Sequence, residues 1–388
     1  MTGAMYAAIA GLRTHMQNLN VIGNNVANVN TYGYKSARSV FKTALYTTLS
    51  GGSDGTTVVG GANPSQIGYG STMGSIGIDM STGNYAVTGM ATDLMLDGDG
   101  FFIISDKTTA EQFNGTGTDQ AVLDGMNLTR VGNFMFGPDG YLAKEDGSGV
   151  VYGFLCTGYD GNGNPTYSDQ LVPIRLPGLQ VDEKGNKKVV YPSVDPDTKR
   201  LQDATHEVTN GADTVEEPYP KVELSGITID RNTGTITGTT KDTNELITIG
   251  VIAVGNVKNP NGVTNLGDNY YQAGAGSGGL SVSLLGGAAQ SMFGTPADSA
   301  GKAYYMNQSL ANNQAGGGNN NAADDAPDSC RLRSGGKTRV LQNGLEMSKT
   351  DLAQEISQMI LTQRGYQANT RIITVTDSML EELVNMKR

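Results

Sequence analysis

The sequence is poor in the residues that most enzymes use for chemistry. Its 388 residues include two histidines, two cysteines and no tryptophan, and only 17% are charged. No Gly-x-Ser-x-Gly elbow occurs beside a usable histidine, and we expect His15 and His206 to be packing or solvated residues. We therefore predict no catalytic activity, no cofactor and no metal site.

Cysteine is also too sparse to build a disulfide framework. Cys156 and Cys330 are 174 positions apart, and neither belongs to a Cys-x-x-Cys motif. Cys156 follows an apolar run and is predicted to be a half-buried strand residue. Cys330 lies beside Arg331 and Arg333, which would favour its thiolate, so a reactive role stays open.

Long hydrophobic runs are missing as well. No apolar stretch approaches the ~20 residues that span a bilayer, so we expect no membrane insertion. The first residues lack a charged segment followed by a long apolar one, so we expect no cleaved signal peptide.

Net positive charge is confined to the N-terminal segment, which has no acidic residue. The net charge is −11, residues 1–50 carry +4 and residues 348–388 carry zero, so the middle of the chain carries −15. This balance argues against a nucleic-acid partner, because such proteins need a basic surface. The basic segment could instead contact a membrane surface or an acidic partner, or serve only solubility.

What is abundant is glycine, with 54 residues, and short apolar runs separated by turn signals. These runs predict a mainly β fold of several modules between two helical ends. The predicted strands are Leu94–Leu96, Phe101–Ile104, Phe134–Phe136, Val150–Leu155, Ile227–Ile229 and Ile247–Val254. A Gly- and Asn-rich stretch at about 281–335 predicts a flexible surface loop.

Both ends of the chain carry helical patterns. At the N-terminus, apolar residues recur at intervals of three and four from Met5 to Val26, and Asn and Gly then accumulate, so the helix should end near residues 28–32. At the C-terminus, Ser348 and Asp351 resemble a capping box that starts a helix of about 38 residues. Its apolar residues recur every seven positions, which predicts a long, coiled-coil-like helix with a narrow stripe.

Three roles for these helices are open from the pattern alone. They could pack on the protein's own core, lie on a membrane surface, or pair with each other and with neighbouring subunits. The narrow apolar stripes favour pairing with other helices. The helices also have few large apolar side chains that could anchor them in a membrane surface. One narrow stripe also stabilises a helix little, so we expect both termini to be poorly ordered in the free subunit and to fold on assembly.

The composition shifts along the chain predict a domain organisation. Residues 1–34 and 348–388 form a terminal helical core, and 35–75 form a connecting segment. Residues 76–150 and 221–347 form the main β domain, and 151–220 form an inserted outer β module. A second function carried by this module, as in an extracellular enzyme or adhesin, has no support in its residues.

Several motifs resemble those of the bacterial flagellar rod and hook proteins. The longest is Asn24-Asn-Val-Ala-Asn-Val-Asn-Thr-Tyr-Gly-Tyr-Lys35, and a second block runs from Leu345 through the C-terminal helix. Shorter matches are Gly98-Asp-Gly-Phe-Phe102, Leu128-Thr-Arg-Val-Gly-Asn-Phe134 and Val257-Lys-Asn-Pro-Asn-Gly-Val263. The sequence departs from the family at Lys349-Thr350, where Asn-Val is usual, and in the length of the 281–335 stretch.

The resemblance implies a structural subunit that polymerises into a helical tube. Its terminal helices would line the tube as an inner core, with β domains outside. The length and the inserted module favour the hook members of the family, with a distal rod or other axial component as the alternative. Implied partners are further copies of the chain, rod, hook-cap and hook–filament junction proteins, and the type III export apparatus, in an extracellular flagellum.

The predicted site is therefore an assembly interface on the terminal helices rather than a catalytic centre. It comprises the apolar stripe of each helix and the polar residues of the Asn-rich motif. These residues are Met5, Ile9, Leu12, Met16, Leu19, Ile22, Asn25, Asn28, Asn30, Gly33, Tyr34, Leu352, Ile356, Met359, Tyr366, Asn369, Ile373 and Leu380.

Overall fold

The chain folds into two units, which we call the terminal unit and the β unit. A computed structural model describes residues 2–55, 60–109, 119–161, 163–168, 171–182, 186–194, 201–210, 213–285, 333–334 and 338–386. The terminal unit comprises Met1–Asp79 with Ser348–Arg388, and the β unit comprises Met80–Met347. Both ends of the chain thus meet in one unit.

The terminal unit consists of two long helices and two two-stranded antiparallel sheets. The first helix ends where Asn and Gly accumulate, close to the predicted position. β1 pairs antiparallel with β4 and both contact α1, while β2 pairs with β3. The elements are α1 Thr2–Ala27, β1 Ala37–Thr43, β2 Tyr46–Ser50, β3 Ser65–Gly68, β4 Ser71–Ile78 and α3 Leu352–Asn385. The predicted connecting segment, 35–75, thus carries most of these strands.

The start of α3 differs from the predicted capping box. Asp351, not Ser348, is the N-cap, and its carboxylate accepts from the backbone N–H groups of Ala353 and Gln354 at 3.0 and 3.2 Å. The Ser348 hydroxyl instead accepts from the Thr350 N–H at 3.3 Å. Because the Ser348 hydroxyl forms this local turn, it does not cap the helix, and α3 starts at Leu352 after the Asp351 cap.

The β unit contains the remaining strands and one short helix. In chain order they are β5 Tyr85–Val87, β6 Leu94–Asp97, β7 Phe101–Ser105, α2 Asp119–Asp124, β8 Asn127–Thr129, β9 Phe134–Phe136, β10 Leu142–Lys144, β11 Val150–Tyr159, β12 Pro165–Tyr167, β13 Val172–Pro173, β14 Gly178–Val181, β15 Lys187–Val190, β16 Ser193–Val194, β17 Leu201–Gln202, β18 Thr205–Asn210, β19 Asp213–Pro218, β20 Leu224–Ile229, β21 Thr235–Thr240, β22 Leu246–Ile252, β23 Val254–Asn256, β24 Thr264–Gly267, β25 Tyr270–Gln272, β26 Ser281–Leu284, β27 Arg333–Ser334, β28 Arg339–Gln342 and β29 Gly344–Glu346.

One large sheet dominates the β unit. Its main path runs β20-β21-β22-β11-β7-β23-β26-β27, and the other described sheets are two-stranded. Five of the six predicted strands lie within an observed one, and the sixth, Ile247–Val254, spans β22 and the first residue of β23. The mainly β fold with paired terminal helices is confirmed. The buried apolar cluster also lies in this unit, with Phe102, Val151 and Ile252 at its centre. Short apolar runs predict strands well here because in β6, β7, β11 and β22 both faces are largely buried.

Two boundaries in the β unit differ from the sequence expectation. Strand β11, whose residues from 151 on were assigned to the inserted outer module, lies in the middle of the large sheet between β22 and β7. The predicted loop at 281–335 is wrong at its start, because 281–284 is the buried strand β26. Leu280, Val282 and Leu284 alternate with serines, so the strand signal was present but masked by the glycine content around it. Residues 286–332, including Cys330, lie outside the described residues.

The family-like motifs of the β unit have structural explanations. Arg130 is 2% exposed, donates to the carbonyls of Leu96 and Gly98 at 3.2 and 2.8 Å, and lies 3.7 Å from the Glu346 carboxylate. Gly100 has φ +118°, and a Cβ there would lie 2.3 Å from a methyl of Val254. Both motifs therefore serve packing within this unit.

The expectations for the cysteines and histidines fall only partly on residues that the structure describes. Cys156 lies on β11 as predicted but is fully buried, and burial raises the pKa of its thiol to about 11. His206 belongs to β18, and its side chain is outside the described part. Across the described residues, no three His, Cys, Asp or Glu side chains cluster as metal ligands, and no helix is long and apolar enough to cross a membrane.

Candidate assembly interface

Within the terminal unit, α1 and α3 run antiparallel and meet through small and polar residues. Three contacting pairs recur every seven residues on both helices, which is the spacing of a coiled-coil seam. We call these six residues the polar seam. The pairs are Gly11 with Asn369, Asn18 with Thr362, and Asn25 with Glu355.

The middle pair of the polar seam also ties in strand β1. Asn18 is buried, and its Nδ2 donates to the Thr362 hydroxyl at 2.9 Å. Its Oδ1 accepts from the Ser39 hydroxyl at 2.6 Å. The Thr362 hydroxyl in turn donates to the Gln358 carbonyl one turn earlier. One asparagine thus connects α1, α3 and β1 without leaving its own amide unpaired.

Asn25 is the most connected side chain of the terminal unit. It is 1% exposed, and its Nδ2 donates to Glu355 Oε1 and to the Ala37 carbonyl, at 2.9 and 2.8 Å. Its Oδ1 accepts from the Ala37 N–H at 2.9 Å and from the Tyr34 hydroxyl at 3.0 Å. The amide therefore joins the end of α1, the start of β1 and the first turn of α3.

The Asn-rich motif folds into the turn that presents these partners. Gly33 is buried with φ +68°, a conformation that favours glycine. The Tyr34 carbonyl accepts from the Lys349 N–H at 3.1 Å, which brings the segment before α3 to the turn. Burial and the nearby Glu355 carboxylate raise the pKa of the Tyr34 phenol, so it stays protonated and donates to Asn25.

Close helix contact depends on two glycines. A Cβ at Gly11 would lie 2.8 Å from Asn369 Nδ2, and one at Gly365 would lie 2.7 Å from ring atom Cε1 of His15. The His15 ring also stacks edge-on against Phe41 of β1, with centroids 5.9 Å apart. His15 is thus a packing residue that fills the space left by Gly365.

Half of the predicted apolar interface residues are exposed in the terminal unit. Ile22 is buried, and Met5, Leu12, Leu19, Met359 and Ile373 are half-buried. The exposed members, each more than a third accessible, are Ile9, Met16, Leu352, Ile356, Tyr366 and Leu380. Further exposed apolar residues of α3 were not predicted: Ile360, Leu361, Ile372, Val375, Met379, Leu383 and Val384.

The polar members of the predicted set divide in the same way. Asn25, Gly33 and Tyr34 are buried in the turn, and Asn369 lies against Gly11. Asn28 donates to the Asn24 carbonyl at 2.9 Å and shapes the end of α1, while Asn30 is exposed. These asparagines therefore build the turn rather than a single surface.

The sequence analysis missed four residues of the polar seam, although it included Asn25 and Asn369. The missed residues are Gly11, Asn18, Glu355 and Thr362. On each helix the three seam residues are seven apart. That spacing was the available signal, but a search for apolar periodicity discards polar positions.

Comparison with known proteins matches the two segments that form this interface. A family model described as flagella basal body rod protein matches residues 5–35, and one described as flagellar basal body rod FlgEFG protein C-terminal matches residues 341–386. The first covers α1 and the Asn-rich turn, and the second covers α3 and the strands before it. These matches support a flagellar rod or hook axial protein.

Individual relatives come from both branches of this family. The flagellar basal-body rod protein FlgG of Bacillus subtilis is 29% identical over 389 positions, covering all of both chains. The flagellar hook protein FlgE of Borreliella burgdorferi is 26% identical over 462 positions, again covering all of both. The hook protein FlgE of Helicobacter mustelae is 33% identical over 40% of this chain and 31% of its own length. The family is a structural component of the flagellum.

Replacing Asn25 should weaken the terminal unit. Asn25→Ala removes the partners of the Ala37 N–H and carbonyl and of the Tyr34 hydroxyl, so we expect a loss of at least about 2 kcal/mol. The measurement is the denaturant midpoint of the helical circular-dichroism signal in the assembled protein. Asn20→Ala is the matched control, because Asn20 is exposed on the same helix. Equal midpoints for the two variants would contradict the role of Asn25.

Two helical glycines should respond in opposite directions to alanine. Gly23 has open space around it, so Gly23→Ala should stabilise α1 by about 0.5–1 kcal/mol through helix propensity. Gly365→Ala places a methyl against the His15 ring and should cost about 1–3 kcal/mol of packing strain. Thermal midpoints of the assembled variants measure both changes. Stabilisation by Gly365→Ala as large as by Gly23→Ala would disprove the close contact.

Proposed function

We propose that the chain is a subunit that polymerises into the flagellar hook, the curved tube that transmits torque from rod to filament. The observation that carries this proposal is the division of each terminal helix into two faces. One face of the pair is satisfied within the chain by the polar seam. The other exposes apolar side chains such as Ile9, Met16 and Ile356.

The energetics of the terminal unit support an intermolecular role for these side chains. Among its described residues, only Ala8, Ile22 and Tyr34 are buried apolar residues, whereas the β unit buries a large apolar cluster. Three buried apolar side chains offset little of the entropy lost in ordering two long helices. Contacts with neighbouring copies would supply the missing burial.

Family membership supports the remaining parts of the proposal. Further copies of this chain are the main partner, and rod, hook-cap and hook–filament junction proteins are the expected neighbours at the two ends. Export through the flagellar type III apparatus would place the polymer outside the cell. The β unit, with its acidic surface, would form the outer layers of the tube.

A subunit of the distal rod is the second candidate, and one observation favours it. The B. subtilis rod relative aligns over 389 positions and covers both chains completely, whereas the alignment with the Borreliella hook relative needs 462 positions. Chain length therefore does not separate the two branches, although the sequence argument for a hook relied on it.

Electron microscopy of the purified protein under polymerising conditions separates the two candidates. A hook subunit should form curved or supercoiled tubes, and a rod subunit should form straight ones. Complementation adds an independent readout, because the chain should restore hooks in a strain lacking its own hook subunit. Straight polymers together with rescue of a rod deletion would replace the hook proposal by the rod.

Removing exposed apolar side chains should prevent assembly without disturbing the fold of the β unit. We expect Ile9→Ser combined with Met16→Ser and Ile356→Ser to raise the critical concentration for polymerisation at least about tenfold, since each buried side chain contributes on the order of 1 kcal/mol or more. The matched control replaces exposed polar residues of the same helices: Gln17→Ser, Asn20→Ser and Gln363→Ser. Equal critical concentrations for both triple variants would contradict the proposed interface.

A further inference from the structure

The last turns of α3 are unlike the part that meets α1. Thr376 is the last buried residue of the helix, and residues 377–385 follow it. In these turns Leu380, Leu383 and Val384 are 37%, 42% and 67% exposed. We call residues 377–385 the terminal turns of α3.

The terminal turns also carry an acidic cluster placed against its helix dipole. Glu381 and Glu382 lie near the helix C-terminus, where carboxylates are unfavourable because the helix end is itself partially negative, and Asp377 precedes them by one turn. Within the described residues none of the three forms an ion pair. Their charges therefore do not stabilise α3, and cations on another surface would offset this unfavourable charge.

A complementary surface lies on strand β1 of the same unit. Ser39 and Phe41 face α1, through Asn18 and the His15 ring. The alternate side chains, Arg38, Val40 and Lys42, are exposed on the opposite face, which we call the outer face of β1. Neither cation has a carboxylate partner among the described residues.

These two surfaces cannot meet within one chain. Asn18 bonds both Ser39 and Thr362, so the outer face of β1 lies level with Thr362 on α3. Glu381 is 19 residues further along the helix. At 1.5 Å per residue this separation is about 28 Å, far beyond the reach of an ion pair.

We propose that the terminal turns of α3 dock on the outer face of β1 of a second copy of this chain. Leu380 and Leu383 would pack around Val40, with the acidic side chains meeting Arg38 and Lys42. Because the two surfaces differ and are far apart, the contact is head-to-tail and can repeat along a filament. The inference rests on the proposed polymerisation and adds which parts of neighbouring subunits meet.

Charge reversal with rescue tests this contact in the full-length protein. Glu381→Lys with Glu382→Lys should raise the critical concentration for polymerisation at least about tenfold, because like charges would then face each other across the contact. Arg38→Glu with Lys42→Glu should have the same effect. The four substitutions together should restore assembly to within about threefold of the unmodified chain.

Two further variants make the outcome specific. Arg13 is a lone exposed cation on α1, and Arg13→Glu should not rescue the Glu381→Lys, Glu382→Lys variant. Lys241→Glu, at an exposed site in the β unit, should leave assembly unchanged. Far-ultraviolet circular dichroism checks that each variant keeps the strand content of the β unit.

The outcomes separate this inference from the proposed function. If the unmodified chain forms no polymer, both fall. If it polymerises but the paired reversals do not rescue each other, or Arg13→Glu rescues instead, the docking of α3 on β1 is wrong while polymerisation stands. Mutual rescue by the four substitutions supports both.

Discussion

The terminal unit depends on the polar seam between its two helices. Hydrogen-bonded asparagine and threonine contacts at seven-residue intervals contribute less stability than apolar pairs would, but they fix which faces meet and in which register. Asn18 and Asn25 extend that register to β1, so helices and hairpin are positioned together. Because the seam uses few apolar side chains, many of those on α1 and α3 stay exposed. In the proposed polymer they would contact neighbouring copies.

The use of polar rather than apolar contacts in the seam also explains why the two units differ in how much apolar surface they bury. The β unit buries its apolar runs in one large sheet and has the interior of an independently stable domain. The terminal unit satisfies its polar groups but buries little apolar surface. If copies of the chain polymerise as proposed, the β unit would be folded before assembly, and the helices of the terminal unit would become fully ordered only where copies meet.

Local patterns in the sequence predicted the elements better than the contacts between them. The short apolar runs located the strands because most of these runs are buried on both faces, and the Asn-rich segment located the end of α1. Two of the facing residues of α3 were missed, because Glu355 and Thr362 are ordinary surface residues in an isolated helix. Only the partner helix makes them interior, as Asn18 does for Thr362. The strand at 281–284 was missed because its alternating pattern is short and lies within a glycine-rich context.

Hydrogen exchange of α3 in the free and the assembled chain tests the central claim most directly. If the polar seam alone holds the helices, amides of residues 352–385 should exchange within seconds to minutes in the free subunit and become protected by several orders of magnitude in the polymer. Amides of β11 and β22 should be protected in both states. Strong protection of α3 in the free chain, equal to that of β11, would show that the seam suffices without neighbours and would contradict this account.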